Sequence, residues 1–451
     1  MKFEELKEKL RGKLAGPVAL IGYGTEGRST LKLLLDCGFE GLTVLDKKEQ
    51  ELPEGVRGVF GEDYLGDLAP YRTLVRSAGV KPTKPELLRF AEAGGTVTSQ
   101  IQLFFDLFGG KILGTTGTMG KGTTTMMISA CLDEAGIPHE IGGNIGTPVL
   151  EILRKEDAAP LAVLELSSFQ LMDLKASPDV AVVVRTTCEH LDWHTDVREY
   201  RMAKARLVEN QRPEQLCVFC GDAEGSREIA ERSPARKVSY GRNPDASLRL
   251  DDGTLFLPGN PLPLSECRIA GSFMLENMAA AALAARELGA PEPAVRAALA
   301  KFEGLTYRLQ FKGEANGIGY WNDSYATRPE AALAAARSFS GPLAMILGGS
   351  EKNADFTELF DGLAALQNLK ICALIGQTAE RIAKGLVARD VPYVRCNSLE
   401  EAVRMCEEAL TEEGGGDLLL SPACASFGMF RNYKERGAIF DRIVDEIQSR
   451  D

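Results

Sequence analysis

The sequence predicts an α/β fold with three domains, each organised around a mainly parallel sheet. Three segments of the 451-residue chain repeat one order of elements: an apolar β-rich run, a glycine-containing turn and a stretch of helical periodicity. A length of 451 residues also fits about three domains of ~150 residues. We therefore expect domains at residues 1–106, 107–307 and 308–451.

The first segment has the pattern of a βαβ unit. An apolar strand at Val18–Ile21 precedes a glycine-rich turn and a helix through Leu35, and a second strand at Leu42–Leu45 ends on Asp46. The turn glycines are Gly22, Gly24 and Gly27. A βαβ unit implies parallel strands, so this segment is expected to form a Rossmann-like domain.

The middle segment contains continuous apolar runs, which are typical of parallel strands covered on both faces. The segment starts near Lys111–Leu113, and these apolar runs are Leu161–Leu166 and Val180–Val184. Cys217 and Cys220 flank only Val and Phe, so they indicate a buried strand rather than half of a zinc site, because no second pair follows. From Ser247 to Leu257 the residues alternate around Asp252-Gly253, which predicts a small antiparallel excursion.

The third segment opens after Tyr307-Arg308 and alternates strand and helix again. Its expected strands are Leu343–Leu347, Ile371–Ile375 and Leu418–Leu420. This order predicts a second Rossmann-like domain at the end of the chain.

Composition excludes several classes of protein. The net charge of -12 argues against a broad nucleic-acid surface. No stretch approaches the ~20 apolar residues of a membrane span, and the ten scattered cysteines indicate a reducing compartment. We expect a cytoplasmic monomer with neither nucleic-acid nor membrane partners.

The first glycine loop fits a dinucleotide fingerprint. Gly22-x-Gly24-x-x-Gly27 follows a strand, and Asp46 closes the next one. Such glycines let the backbone approach a diphosphate at a helix N-terminus. The loop alone does not say which nucleotide is bound, and a tight structural turn is the alternative.

The second glycine loop is more specific. Gly114–Thr125 follows an apolar strand and opens a helix, so its amides can face phosphate oxygens while Lys121 reaches the terminal phosphates. It departs from a strict Walker A pattern because Gly122 occupies the position of the magnesium-binding hydroxyl, which Thr123 can supply instead. A phosphate-binding loop in a P-loop ATPase-type domain is predicted, with a glycine-rich turn as the alternative.

This loop, with its Gly117-Thr118-Met119-Gly120-Lys121 core, resembles the Mur ligase family. Three further stretches resemble the family in the same order along the chain, Gly142–Pro148, Leu164–Leu171 and Ser421–Phe427. The resemblance implies an ATP-dependent, ADP-forming ligase of cell-wall precursor synthesis. Its expected substrates are UDP-N-acetylmuramoyl-L-alanine and glutamate, with D-glutamate as the leading candidate for the enantiomer. The two are expected to be joined through an acyl phosphate intermediate.

The resemblance also implies roles for individual residues, with ATP and Mg²⁺ as cofactors. The catalytic set is Lys121, Glu165, His190 and Lys204. The magnesium ligands are Thr123, Glu165, His190 and, if carbamylated, Lys204. The ATP site comprises Gly117, Thr118, Gly120, Lys121, Thr123, Asn277, Arg308 and Asp323. Without the family, the spacing around Lys204 favours an ordinary basic helix face.

The same resemblance implies binding residues for the two other substrates. The UDP-precursor residues are Gly24, Thr25, Asp46, Asn144, Ser167 and Gln170. The amino-acid residues are Thr327, Lys352, Ser426 and Tyr433. A dicarboxylic amino acid needs a cation for its side chain, and Lys352 is the candidate.

Departures from the family pattern keep alternatives open. Tyr325 stands where the common ligase has lysine, and Arg185 stands where it has asparagine. The same chemistry with L-glutamate or another amino acid is therefore an alternative, as is a precursor-binding paralogue without catalysis. A nicotinamide oxidoreductase would use the first loop but leaves the second loop and Lys204 unexplained.

Overall fold

A computed structural model describes residues 3–155, 157–190, 193–251, 253–269, 271, 273–351 and 354–450. The chain divides into two compact units, Met1–Leu262 with Glu276–Leu299, and Pro263–Leu275 with Ala300–Asp451. Three mainly parallel sheets carry the fold, which confirms the predicted α/β class. The boundaries near residues 107 and 307 stay predictions.

The first sheet has five parallel strands. They are β1 (Val18–Ile21), β2 (Thr43–Asp46), β3 (Arg57–Phe60), β4 (Thr73–Arg76) and β5 (Thr96–Ser99). The accompanying helices are α1 (Phe3–Lys13), α2 (Thr25–Asp36), α3 (Pro85–Glu92) and α4 (Gln100–Leu107). The order β3-β2-β1-β4-β5 reverses direction at β1, and ligands of such sheets bind beyond the strand ends at this switch point.

The second sheet has nine strands. They are β6 (Lys111–Thr116), β7 (Glu140–Gly143), β8 (Leu161–Glu165), β9 (Val180–Val183), β10 (Leu216–Cys220), β11 (Arg236–Gly241), β12 (Leu248–Asp251), β13 (Thr254–Leu255) and β14 (Leu262–Pro263). The helices of this stretch are α5 (Lys121–Glu134), α6 (Val149–Leu153), α7 (Ser168–Leu171), α8 (Val197–Ala205), α9 (Glu224–Glu231), α10 (Met274–Glu287) and α11 (Glu292–Lys301), with a 3-10 turn at Leu264–Glu266. The order of the strands in this sheet is β14-β13-β12-β11-β10-β9-β6-β8-β7.

Two predictions about this sheet are confirmed. Cys217 and Cys220 lie on β10, where both side chains are buried. The excursion after Ser247 is an antiparallel pairing of β12 with β13, in which Leu250 faces Leu255. Asp252, expected in the turn, lies outside the described residues.

The third sheet lies in the second compact unit. Its strands are β15 (Gln310–Ala315), β16 (Ile318–Asn322), β17 (Leu343–Gly349), β18 (Leu369–Gly376), β19 (Tyr393–Arg395) and β20 (Gly416–Leu420). Its helices are α12 (Pro329–Ala336), α13 (Thr357–Ala364), α14 (Ala379–Val387), α15 (Leu399–Glu412) and α16 (Tyr433–Gln448). The order is β15-β16-β20-β17-β18-β19, parallel except for the β15–β16 pair.

Burial on both faces explains the continuous apolar runs. On β17, Met345 and Leu347 pack into one hydrophobic cluster, whereas Ala344 and Ile346 pack into another on the opposite face. Successive side chains of a strand point to opposite faces, so a sheet covered twice needs apolar residues at every position. Among the helices that the structure describes, none has the length and apolar character required to cross a membrane.

Candidate functional site

The first glycine loop borders a cavity of about 670 Å³ in the first compact unit. Five residues predicted to hold the UDP precursor line it, namely Gly24, Thr25, Asp46, Asn144 and Gln170. The cavity lies where the order of the first sheet reverses, as expected for a ligand site of an open parallel sheet. Ser167, the sixth predicted residue, is not part of this lining and caps α7 instead.

Close backbone packing explains the glycines of this loop. A Cβ atom on Gly27 would lie 2.1 Å from the Gly22 carbonyl oxygen, and Gly22 has a positive φ of 85°. Asp46 accepts hydrogen bonds from the amides of Tyr23 at 2.6 Å and Lys48 at 2.9 Å. Both carboxylate oxygens of Asp46 therefore hold backbone, and this residue shapes the rim of the cavity.

Glu26 is a cavity residue that the sequence reasoning missed. Its carboxylate accepts the Ala78 amide at 2.8 Å and the Gln170 side-chain amide at 2.8 Å. It thereby connects the loop after β4 with α7, which both line the cavity. The available signal was an acidic residue in the first turn of α2, where the helix dipole favours negative charge.

The phosphate-type loop joins β6 to α5. Gly117 and Gly120 adopt φ values of 143° and 86°, which side chains rarely tolerate. The Lys121 ammonium donates to the carbonyl oxygens of Gly117 at 2.9 Å and Thr118 at 3.1 Å, so it folds back over the loop. Thr123 lies in the first turn of α5 and is half-buried.

Lys204 lies beside this loop rather than on an exposed basic face of α8. Its side-chain nitrogen donates to the Gly117 carbonyl oxygen at 2.8 Å, and the residue is only 1% exposed. The Tyr200 ring lies 4.5 Å from the same nitrogen, and the Tyr200 hydroxyl is 2.9 Å from the Thr118 hydroxyl. Burial, and then the charge of Lys121, lower the pKa of Lys204 well below its usual value.

Glu165 and the phosphate-type loop are brought together by strand register. Thr115 on β6 pairs with Glu165 at the end of β8, so the carboxyl ends of these two parallel strands lie at the same edge of the sheet. Glu165 is buried and accepts a hydrogen bond from the Asn144 side-chain amide at 2.6 Å. A carboxylate therefore faces the region beside the loop.

His190 occupies a strained loop after β9. Its φ is 58°, its side chain is 41% exposed, and its ring lies 4.9 Å from that of Phe169. Among the described residues, no three His, Cys, Asp or Glu side chains are clustered as a metal site. The described residues therefore provide only part of a donor set for a metal ion, and Glu165 is the buried carboxylate in it.

The second compact unit carries the other predicted nucleotide and amino-acid residues. Asp323 is buried, accepts the Leu309 amide at 3.0 Å and the Ser421 hydroxyl at 2.7 Å, and burial raises its pKa to about 7. The Arg308 guanidinium lies 3.8 Å from the centre of the Tyr325 ring. Asp323 and Arg308 thus lie on one short segment with Tyr325, the departure noted in the sequence.

The predicted amino-acid residues are only partly brought together. Tyr433 packs edge-on against Tyr325, with ring centres 5.1 Å apart. Ser426 is buried in the loop after β20, and Thr327 is half-buried after β16, the strand beside β20. Lys352, the predicted cation for the amino-acid side chain, lies outside the described residues.

Arg436 is a buried residue of this region that no local sequence pattern indicates. Its guanidinium donates to the Ser324 hydroxyl at 3.0 Å, the Ser324 carbonyl at 2.8 Å and the Cys424 carbonyl at 3.1 Å. It therefore ties α16 to the loops that follow β16 and β20.

Two family models and several curated relatives match this chain. Residues 115–285 match the model of the Mur ligase middle domain, and residues 307–424 match that of the Mur ligase, glutamate ligase domain. The chain is 33% identical over 472 residues to a UDP-N-acetylmuramoylalanine--D-glutamate ligase of Acetivibrio thermocellus, which covers 99% of both chains. An enzyme of the same name from Symbiobacterium thermophilum is also 33% identical and covers 96% of this chain and 99% of its own.

A solved structure shows the same fold at greater distance. It is the UDP-N-acetylmuramoylalanyl-D-glutamyl-2,6-diaminopimelate--D-alanyl-D-alanyl ligase of Acinetobacter baumannii, with a TM-score of 0.61 and 15% identity over 99% of this chain and 98% of that one. Together with relatives above 30% identity along almost its entire length, these matches show that the chain belongs to the Mur ligase family.

Proposed function

We propose that this chain is an ATP-dependent, ADP-forming ligase of peptidoglycan precursor synthesis. It joins glutamate to UDP-N-acetylmuramoyl-L-alanine, and D-glutamate is the leading candidate for the enantiomer that it uses. The observation that carries the proposal is the phosphate-type loop with Lys121 on it, the buried Lys204 against its Gly117 carbonyl, and Glu165 at the end of the neighbouring strand. The names of relatives that match nearly the whole chain support the choice of substrates.

The chemistry follows from what such a site can stabilise. A carboxylate oxygen of the precursor attacks the terminal phosphorus of ATP, the bond to ADP breaks, and an acyl phosphate forms. The amine of glutamate then attacks the acyl carbon, phosphate leaves, and the amine loses a proton. Phosphoryl transfer needs mainly positioning and neutralisation of charge, which Lys121 and the loop amides provide.

Magnesium belongs to this proposal as a partner of ATP. Mg²⁺ prefers oxygen ligands and is usually held by one or two protein carboxylates together with substrate phosphates. Glu165 and the Thr123 hydroxyl fit that preference, and His190 is the further predicted ligand. Lys204 fits it only as a carbamate, because an amine that carries a proton cannot ligate a cation. When bound, the metal would neutralise phosphate charge.

The two other substrates are assigned to different compact units. The 670 Å³ cavity at the first glycine loop is proposed for the UDP end of the precursor, since its glycines and loop amides suit a diphosphate. The loops that follow β16 and β20, with Thr327, Ser426, Tyr433 and Lys352, are proposed for glutamate. The predicted nucleotide residues are Asn277 in the first unit and Arg308 and Asp323 in the second, each proposed within its own unit.

The test is phosphate release from ATP with Mg²⁺ and UDP-N-acetylmuramoyl-L-alanine, run with D-glutamate, L-glutamate or no amino acid. We expect phosphate release with D-glutamate only. Release with L-glutamate instead would correct the stereochemistry and assign the difference to the acceptor loops. Release with neither, while the precursor still binds, would overturn the ligase proposal in favour of a precursor-binding protein.

Lys121→Ala provides the matched variant. It should abolish ADP formation and leave binding of the precursor nearly unchanged, because Lys121 contacts the phosphate-type loop and is not among the residues that line the cavity. Turnover that survives in this variant would show that the loop does not hold the transferred phosphate.

A further inference from the structure

Arg185 contacts the phosphate-type loop through its backbone. Its carbonyl oxygen accepts the Thr118 amide at 2.9 Å and the Met119 amide at 3.1 Å. Two consecutive loop residues therefore depend on where the Arg185 backbone is held. The Thr187 amide donates to the Thr118 hydroxyl at 3.0 Å, which adds a second anchor from the same segment.

The Arg185 side chain points to α10 and forms a two-pronged ion pair there. Its Nε donates to Glu276 Oε2 at 2.8 Å, and its Nη2 donates to Glu276 Oε1 at 2.5 Å. The Arg185 side chain is 31% exposed and that of Glu276 13%, so the pair is partly shielded from water. Paired parallel hydrogen bonds fix the relative orientation of the two groups as well as their distance.

The residue after Glu276 packs against the same loop. Asn277 Oδ1 accepts the Thr124 hydroxyl at 3.3 Å. A Cβ atom on Gly120 would lie only 2.1 Å from that oxygen, so Asn277 abuts the loop at the residue that precedes α5. Arg185 thus reaches the loop directly through its carbonyl and indirectly through Glu276 and its neighbour Asn277.

We propose that Arg185 is a positioning residue for the nucleotide subsite. Its backbone carbonyl holds the amides of Thr118 and Met119 on one side of the loop. Its ion pair with Glu276 holds the neighbouring Asn277 on the other side. The inference rests on the proposed function, since it assumes that ATP and ADP bind at this loop. The Arg185 side chain acts on the loop through Glu276 and its neighbour Asn277.

A positioning role and a merely stabilising role have different consequences. Loss of stability alone would lower the Tm and the amount of active enzyme while leaving the KM of the remaining molecules unchanged. Loss of position would raise the KM for ATP and the Kd for ADP while the Kd for the precursor, bound in the cavity of the first glycine loop, stays the same.

The experiment is a double-mutant cycle in the full chain with Arg185→Ala, Glu276→Ala and both together. ADP binding is measured directly by calorimetry, and the KM for ATP, kcat and Tm are measured alongside. We expect each single variant to weaken ADP binding about 10-fold, and the double variant to be no worse than either, because both remove one interaction.

A second ion pair on the same helix provides the control. Arg236 donates to Glu287 at 2.6 Å at the far end of α10, away from the loop. Arg236→Ala and Glu287→Ala should leave ADP binding unchanged. The reversed pair, Arg185→Glu with Glu276→Arg, should recover most of the lost affinity. If the reversed pair does not fold, Arg185→Lys decides, with intermediate ADP affinity expected because one prong is lost.

Three results would overturn the inference. One is wild-type ADP affinity in Arg185→Ala, and another is an equal loss of ADP affinity in the Arg236 and Glu287 controls. The third is additive losses of Arg185→Ala and Glu276→Ala. All three leave the proposed ligase intact, whereas a wild-type chain that binds no ADP would overturn both.

Discussion

The Lys204 side-chain nitrogen lies 2.8 Å from the carbonyl oxygen of Gly117, inside the loop that opens α5. A fully buried amine without an acidic partner at that distance is costly as a cation, and burial lowers its pKa accordingly. A neutral amine is nucleophilic, and this form reacts with carbon dioxide to give a carbamate. The environment of Lys204 thus favours the state in which it can act as a negatively charged ligand.

A first prediction concerns this lysine. Lys204→Ala should lose most ligase activity, and short carboxylates such as acetate should restore part of it by replacing the carbamate. Arg206→Ala is the control at the end of the same helix, where the side chain is about half exposed and paired with Glu209. Activity of Lys204→Ala equal to that of the control, or no recovery at any carboxylate concentration, would argue for an ordinary structural lysine.

A second prediction uses Asp323, whose pKa burial raises from 3.8 to about 7. Between about pH 4 and pH 7 the unfolded chain has lost this proton while the folded chain retains it. The Asp323 contribution to the free energy of unfolding is therefore largest below pH 4 and falls as the pH rises to 7. The total change is on the order of 4 kcal/mol, with no further change above pH 7.

The measurement compares urea unfolding of the wild type and Asp323→Asn at pH 5, 6, 7 and 8. The variant cannot titrate at this position. The free energy of unfolding of the wild type should therefore fall relative to that of the variant as the pH rises to 7, and the difference between the two should then stay constant. A difference that stays constant across this range would show that Asp323 is ionised in the folded state.

The sequence predicts the central strands well because their evidence is local. The apolar runs of β6, β8, β9 and β17 contain their own signal, since strands covered on both faces need apolar residues throughout. The antiparallel pairing of Leu250 with Leu255 was equally readable, because alternation around a turn is a short-range pattern.

The burial of charged side chains could not be predicted from the sequence, because it depends on contacts between residues far apart in the chain. Lys204 contacts Gly117 across 87 positions, and Arg76, fully buried, binds Asp173 across 97. On α8 the spacing of basic residues favoured an exposed face, and only the family resemblance assigned Lys204 to the site. Arg436 carries no local pattern and no family motif that pointed to it.

A third prediction concerns Tyr325, which holds the Arg308 guanidinium over its ring. Such cation–π contacts are worth about 0.5–1 kcal/mol at exposed sites, and Tyr325 is 43% exposed. Tyr325→Ala should therefore raise the KM for ATP roughly 2- to 5-fold, because Arg308 loses its fixed orientation. Tyr325→Phe keeps the ring and should behave like the wild type.

Initial rates at varied ATP for these two variants separate the explanations. Equal effects of Tyr325→Phe and Tyr325→Ala would assign the role to the hydroxyl rather than to the ring. Repeating the series with D-glutamate and L-glutamate tests whether the residue at this position also selects the amino acid.

A fourth prediction concerns Gly27 in the first glycine loop. A methyl group there would lie 2.1 Å from the Gly22 carbonyl oxygen, and backbone cannot yield as a flexible side chain would. Gly27→Ala should therefore destabilise the first compact unit by about 1–3 kcal/mol and weaken precursor binding, because Gly22 lines the cavity.

Gly24→Ala is the matched control in the same loop. A Cβ atom at Gly24 meets nothing within 4 Å, and its φ is negative, so this variant should keep the wild-type Tm. Calorimetric melting of both variants, with and without the precursor, makes the comparison. A Tm of Gly27→Ala equal to that of Gly24→Ala would mean that the backbone of this turn relaxes around the methyl group, and that close approach of α2 to β1 is not what requires the third glycine.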